Sequence, residues 1–352
     1  MSKMKNIYDY PINELEEILV QDGQKKFRAT QIFEWIYRMH VKDFSLMTNI
    51  GTSNIEYFQN NFEIKELRVE KTQESSDGTR KYLFKLEDGN YVETVLMHQD
   101  YGYSVCVSSQ VGCNMGCAFC ASGLQKKIRD LKVSEMVCQV VQINDDLAKI
   151  GARVSHVVVM GIGEPFDNFN NLLKFLNIIN YAKGLEIGSR HITVSTSGLV
   201  PKILEFALFP LQINLAISLH FATDEKRRKY MPIAKAYNLE ELIDSVKTYY
   251  SITSRRVTFE YIMLDGINDT ITDAYDLIKL IRGINAYVNL IPMNETGSCF
   301  KRSKEENVKR FYDILAKNGI NVILRREQGH DIDAACGQLR VKTMKEKKQW
   351  KD

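Results

Sequence analysis

Three cysteines within eight residues carry the plainest chemical signal in this chain. Cys113, Cys117 and Cys120 lie in the run Gly-Cys-Asn-Met-Gly-Cys-Ala-Phe-Cys, a C-x3-C-x2-C spacing that lets one loop turn three sulfurs toward one centre. Thiolates are the ligands of iron–sulfur clusters, and a cubane cluster has four irons, so three protein ligands leave one iron open to bind something else. Structural zinc wants four ligands, usually as two paired halves, and the sequence holds no second C-x2-C and no H-x3-H. Three inert, buried cysteines are the plain alternative; the spacing and the interleaved glycines speak against it.

Other reactive residue types gather where strands end. Val157-Val-Val-Met160 runs into Gly161-Ile-Gly163-Glu164-Pro165; glycines let backbone approach a ligand, and Glu164 can accept bonds from an ammonium group. His191-Ile-Thr-Val-Ser195-Thr-Ser-Gly198 ends in hydroxyls, Leu215-Ala-Ile-Ser218-Leu219-His220 in a serine and a histidine, and Leu290-Ile-Pro-Met-Asn294 in an amide. Each alone could be a cap or turn group; together they form a ring of polar groups around one mouth. Two further thiols stand apart. Cys106 opens Cys-Val-Ser-Ser-Gln ahead of the triplet, and Cys336 sits in the polar, glycine-flanked segment Gly329–Gln338. A buried structural cysteine normally sits in an apolar run, which suits Cys138 and Cys299 better than Cys336. A thiol exposed at a site suggests a nucleophile, and a pair of them suggests reversible disulfide chemistry. Glu93 interrupts an alternating strand, where a polar residue is expected on the wet face.

The elements that must position these groups can be read from periodicity. Ile12–Val20 and Thr30–Met39 carry apolar residues at helical spacing, and Gly51 opens a third helix. Between Phe62 and Cys106 the period falls to two: Glu63–Thr72, Lys81–Leu86 and Tyr91–Met97 read as strands, the last two joined by the turn Glu87-Asp-Gly-Asn90, which predicts an antiparallel meander feeding the cysteine loop. Thereafter candidate strands (Tyr103–Ser108, Val154–Met160, His191–Ser195, Gln212–Leu219, Arg256–Met263, Val288–Ile291, Asn321–Leu324) alternate with helical segments such as Ser134–Lys149, Asn170–Tyr181 and Leu239–Tyr250. Such alternation implies an α/β fold, a parallel sheet with helices outside and ligands at the carboxyl ends of the strands; a partial, open β/α barrel is expected. The division expected is residues 1–60 as a small helical accessory unit, 61–105 as a strand extension, 106–340 as the barrel core with its C-terminal cysteine loop, and 341–352 as a basic tail.

With 352 residues there is room for one large domain and a smaller one. No apolar run approaches the roughly 20 residues that span a bilayer, and the first ten residues lack the apolar core of a signal peptide. A cytoplasmic protein with no membrane partner is expected, its seven cysteines reduced, ligating or reactive rather than paired; nothing calls for more than a monomer. Net charge is only +3, yet bases cluster at Lys25–Arg28, Lys126–Arg129, Lys226–Lys229, Arg325-Arg326 and from Lys342 onward. Five such clusters make a polyanionic partner a reasonable expectation, where one would be a solvated face.

The C-x3-C-x2-C spacing, with Phe119 before its last cysteine, resembles the radical S-adenosylmethionine (SAM) enzymes. More of the chain, from about Phe27 to Leu339, resembles the RlmN/Cfr family of radical SAM adenine methyltransferases of ribosomal RNA. The resemblance rests on Val92-Glu-Thr-Val95, Cys106-Val-Ser-Ser-Gln-Val-Gly-Cys113, Gly163-Glu164-Pro165, Ser195-Thr-Ser-Gly198, Ser218-Leu-His220 and Asp331-Ile-Asp-Ala-Ala-Cys-Gly-Gln-Leu339. It implies a partial (β/α)6-type radical SAM barrel in which Cys113, Cys117 and Cys120 hold a [4Fe-4S] cluster. Gly163, Glu164, Ser195, Ser218, Leu219, His220 and Asn294 are then the SAM-binding set. Cys336 becomes a methyl-carrying thiol, Cys106 the thiol that resolves a covalent protein–RNA adduct, and Glu93 a proton acceptor, a task Cys106 could also take. The implied partners are 23S rRNA, transfer RNA and an electron donor such as flavodoxin or ferredoxin. Val111 and Pro165 resemble the group that methylates adenine carbon 2 rather than its antibiotic-resistance relatives acting on carbon 8. The segment Ala121–Leu131 and Ile162 depart from the pattern of either group.

Overall fold

The strands expected from the sequence resolve into one mixed sheet of ten that lie side by side in the order of the chain. The computed structural model describes residues 4–123, 125–294, 299–329, 331–333, 338–340 and 342–343. The first four strands, β1 (Arg68–Glu74), β2 (Arg80–Lys85), β3 (Tyr91–Gln99) and β4 (Gly102–Cys106), form the antiparallel meander. From β4 onward every pairing within this sheet is parallel, through β5 (Val154–Val159), β6 (Ile192–Thr196), β7 (Asn214–Ser218), β8 (Val257–Met263), β9 (Ala286–Pro292) and β10 (Asn321–Leu324). Six helical crossovers therefore connect seven parallel strands, and all seven strands expected from the sequence are present.

Parallel strands buried on both faces need helices over them. The crossovers supply these with α4 (Val133–Ala148), α5 (Phe169–Asn180), α6 (Val200–Ala207), α7 (Asp224–Tyr230), α8 (Leu239–Thr253), α9 (Ile271–Ile281) and α10 (Glu305–Lys317). Local chemistry fixes where they begin. Asn238 with Glu241, and Thr270 with Asp273, form reciprocal capping boxes that satisfy the first free N–H groups of α8 and α9. On α5 the apolar positions Leu172, Phe175, Leu176, Ile178 and Ile179 all turn inward.

At the N-terminus, α1 (Ile12–Gln21) and α2 (Arg28–Phe33) pack onto the barrel rather than standing free, and α3 (Thr52–Asn61) follows them. Phe33 meets Tyr181 edge-on, Lys174 pairs with Glu14 at 2.7 Å, and Asp9 accepts the Ser134 N–H at the start of α4. The segment expected as one helix to Met39 is not uniform. After Phe33 it widens into a π turn over Glu34–Arg38, closed by Met39 N–H on the Glu34 carbonyl. The extra residue in that turn brings the adjacent Ile36 and Tyr37 both into the core.

Beyond β10 the chain crosses back over the open side of the barrel to the meander. Gln328 donates to the His98 carbonyl, Gly329 N–H to Asp77, and Asp331 accepts from Ser75 and the Ser76 N–H. This strap roofs the carboxyl ends of the parallel strands.

Candidate active site

The cysteine loop follows β4 and is clamped on two sides by backbone. Cys113 N–H donates to the Gln125 carbonyl at 3.0 Å and Ile128 N–H to Val111 at 2.7 Å, while Ala118 N–H reaches Tyr230 at the end of α7 at 2.9 Å. Gly112 adopts φ +81° so close to the returning segment that a Cβ would stand 2.3 Å from the Lys126 carbonyl oxygen; only glycine fits there. Cys113 and Cys117 are buried and Cys120 half-buried. Burial pushes the Cys113 thiol up to about 12, and it raises Cys117 further, with the other two thiols adding to it and the Arg227 guanidinium opposing. Thiols in such a setting lose their protons to a metal rather than to water.

Cys120 opens onto a cavity of about 290 Å³ beneath the strap, whose wall also carries Glu93, Cys106, His220 and Asn294, with Arg325 to Gln328 at its rim. The structure thus brings together five residues picked out by the sequence from widely separated segments. His220, just past β7, sits in the left-handed region at φ +60°, held by Asn268 on its carbonyl. Its Nδ1 accepts the Ile262 N–H, so the proton is on Nε2, and burial pulls the imidazole down to about 3. The ring stands edge-on to Phe119 of the cysteine loop.

Next to this cavity lies a second polar group at the ends of β5, β6 and β7. Ser195 and Ser218 stand 3.2 Å apart and both donate to the Glu260 carboxylate, at 2.9 and 3.2 Å. Glu164 is buried and accepts the Ser197 N–H at 2.7 Å and the Phe166 N–H at 3.1 Å. Burial raises its carboxyl against those bonds. Gly163, at φ +113°, leaves no room for a side chain against Gln110, whose Oε1 accepts the Glu164 N–H. The Leu219 side chain is fully buried in the core, and its N–H donates to the Glu260 carbonyl at 3.1 Å. Glu260, Gln110 and Lys81 were not singled out by the sequence. Glu260 is the middle residue of an ordinary strand pattern, and only the register placing it opposite Ser218 reveals its role.

Glu93 departs from its expected wet position. It is 3 % exposed and pairs at 2.8 Å with Lys81, which is wholly buried. Glu93 also accepts the Arg340 N–H, and Lys81 donates to the Asp333 carbonyl. The pair therefore grips the chain on both sides of residues 334–337. Cys336 lies outside the described residues. Cys138 is buried in α4 as expected, but Cys299 is exposed, because Cys299 sits in a loop at the barrel rim rather than in an apolar element.

The basic clusters divide. Lys127 pairs with Asp130 and Asp167, Arg129 with Asp88 and Glu135, Lys226 with Asp273, and Arg227 is buried. Lys25, Lys126, Arg228, Lys229, Arg325 and Arg326 remain exposed.

Residues 107–278 match the Radical SAM superfamily, and residues 5–64 match the Ribosomal RNA large subunit methyltransferase N-terminal domain. A protein of Spiroplasma citri named "Probable dual-specificity RNA methyltransferase RlmN" is 54% identical over 342 residues, 96% of this chain and 98% of that one. The chain belongs to the RlmN family of radical SAM methyltransferases. A like-named RlmN protein of Listeria welshimeri is 54% identical over 97% of this chain and 94% of its own. The crystal structure of a radical SAM methyltransferase from Sphaerobacter thermophilus matches with a TM-score of 0.90 and 41% identity, covering 95% of this chain and 98% of that one. The expected radical SAM barrel is thereby confirmed, and with membership come a [4Fe-4S] cluster and SAM as cofactors.

The RlmN-type cysteine loop fits a cluster of this kind. Its donors are three thiols on a short loop backed by glycine, two buried and the third opening on the cavity. Among the described residues no three His, Cys, Asp or Glu side chains are arranged around a single metal ion. A cubane makes a different demand, since each thiolate meets its own iron and the sulfurs stand farther apart.

Proposed function

We propose that this protein methylates carbon 2 of an adenine in RNA, with 23S rRNA and transfer RNA as substrates. The observation that carries the reading is the single cavity lined by Cys106, Glu93 and Cys120, roofed by a strap whose anchors lie on both sides of Cys336. The family name and the matched N-terminal segment support an RNA substrate.

When bound, the cluster and SAM supply a methyl group and a radical able to abstract hydrogen. Cys113, Cys117 and Cys120 hold the first; Gly163, Glu164, Ser195, Ser218, Leu219, His220 and Asn294 hold the second. Adenine carbon 2 is too poor a nucleophile to take a methyl group from a sulfonium, whereas a protein thiolate is not. Cys336 serves as that thiolate and carries the carbon to the ring. Glu93 takes the ring proton, with Lys81 beside it to stabilise the carboxylate. Cys106 then attacks the Cys336 thioether sulfur: the S–S bond forms as the bond from that sulfur to the transferred carbon breaks, and the released carbon takes up a proton to become the methyl group. The base reaches the cavity by leaving its stack, as base-modifying enzymes require. Residues 1–60 and the exposed bases at Lys25 and Lys126 contact the RNA backbone, and a flavodoxin or ferredoxin in the cytoplasm supplies electrons to a monomeric enzyme.

Mass spectrometry of nucleosides from RNA modified by the purified protein tests this reading. 2-Methyladenosine is expected; 8-methyladenosine or an unmodified adenine overturns it. A Cys106→Ala variant is expected to accumulate a covalent RNA–protein adduct on a denaturing gel, and free RNA alone under turnover conditions contradicts the role of Cys106.

A further inference from the structure

Arg227 is the largest wholly buried side chain in the described structure. It lies on α7, whose last residue, Tyr230, accepts the Ala118 N–H of the cysteine loop. Its Nη2 donates to the Ser197 carbonyl, while Nε and Nη1 find no acceptor. Gly198 leaves the space it occupies, since a Cβ there would stand 3.2 Å from Nη2. Burial pulls the guanidinium down to about 10, with Cys117 and the Asp224 carboxylate acting in the opposite direction. Asp224 is itself engaged, accepting the Leu239 N–H at 3.0 Å. A guanidinium with unused N–H groups is costly to bury, and it is retained where a further negative charge meets it.

We propose that Arg227 is the counter-charge of the iron–sulfur cluster, a positioning residue that eases its one-electron reduction. Cluster potentials are set by net charge, by hydrogen bonds to the sulfurs and by burial. Three thiolates around a [4Fe-4S] core in its 2+ state leave one net negative charge, and reduction by the external carrier adds a second. A fixed, buried cation on the helix that holds the cysteine loop stabilises the reduced form more than the oxidised one. The inference rests on the cofactor of the superfamily and is independent of which carbon is methylated.

The test is an EPR-monitored redox titration of the loaded full-length protein, without RNA. Arg227→Met removes the charge and is expected to move the midpoint to more negative potential by at least the equivalent of a tenfold change in the one-electron equilibrium, 59 mV. Arg227→Lys, which keeps the charge, is expected to retain most of the wild-type value. Asp224→Asn removes an offsetting carboxylate and is expected to move the midpoint the other way; it decides the matter should Arg227→Met fail to fold or load. Midpoints unchanged in both Arg227→Met and Asp224→Asn overturn the proposal, whatever happens to stability. So does a loss of SAM affinity in Arg227→Met with the potential unmoved, which makes Arg227 a ligand residue instead.

Discussion

The two walls of the cavity are built in opposite ways. The cluster wall is one short loop whose working residues are neighbours in sequence, held by backbone hydrogen bonds and by glycine-tight packing against the segment that follows it. The facing wall joins residues far apart in the chain, 247 positions from Glu93 to Arg340, through buried charge and carboxylate side chains. The first arrangement places three sulfurs without needing any one side chain to hold the others. The second depends on every charged partner, because a buried charge left alone costs far more than a pair contributes.

This contrast predicts how each wall fails. Cys117→Ala is expected to abolish iron loading and all 5′-deoxyadenosine formation while changing stability by only about 1 kcal/mol; iron analysis and thermal melting check it, and a fully loaded variant breaks the comparison. Lys81→Met is expected to do the reverse. It strands Glu93 in the core and destabilises by about 3 kcal/mol in urea unfolding, with iron content unchanged. The double variant Lys81→Met/Glu93→Gln recovers part of that loss. A Lys81→Met protein that keeps its stability but loses iron shows that the walls are not independent.

The same difference decides what could be read from sequence. The cysteine loop was legible because its three thiols, glycines and Phe119 sit within one short run, and the parallel strands because β-branched runs alternate with amphipathic helices. Glu93 was misjudged on alternation alone: strand β3 faces a strap that joins the sheet only in three dimensions, so its polar residue is buried. Lys81 and Glu260 have no local signature at all, since a lysine or glutamate in a strand normally points to water. Their partners are fixed by register and by the return of the chain after β10. The helix expected to Met39 failed for a related reason, as its last turn follows the core it packs on rather than the 3.6-residue period.

A smaller effect probes the packing of the cluster wall. Gly112→Ala forces a side chain into a left-handed position and against the Lys126 carbonyl. Strain of about 2 kcal/mol is expected, confined to the loop. Faster iron loss to a chelator, with a nearly unchanged global melt, is the signature; an equal fall in global stability makes the loop part of the general core instead.

The smallest predicted effect concerns Cys106 on the facing wall. Burial pushes its thiol up to about 11, against the opposing pull of Arg325, the Met160 backbone and Lys81. Below that pH the group is a neutral thiol, and only the thiolate is alkylated. Its reaction with iodoacetamide is therefore expected to lag behind that of exposed Cys299 at pH 7.5 and to keep rising about tenfold per pH unit up to pH 10, as peptide mapping by mass spectrometry reads out. A plateau at or below pH 9 contradicts it. Lys81→Met removes one cation that favours the thiolate, so it slows Cys106 further while leaving Cys299 untouched. A thiol held neutral at rest resists oxidation, and the lysine that pairs with Glu93 is one of the groups that act against the burial of Cys106.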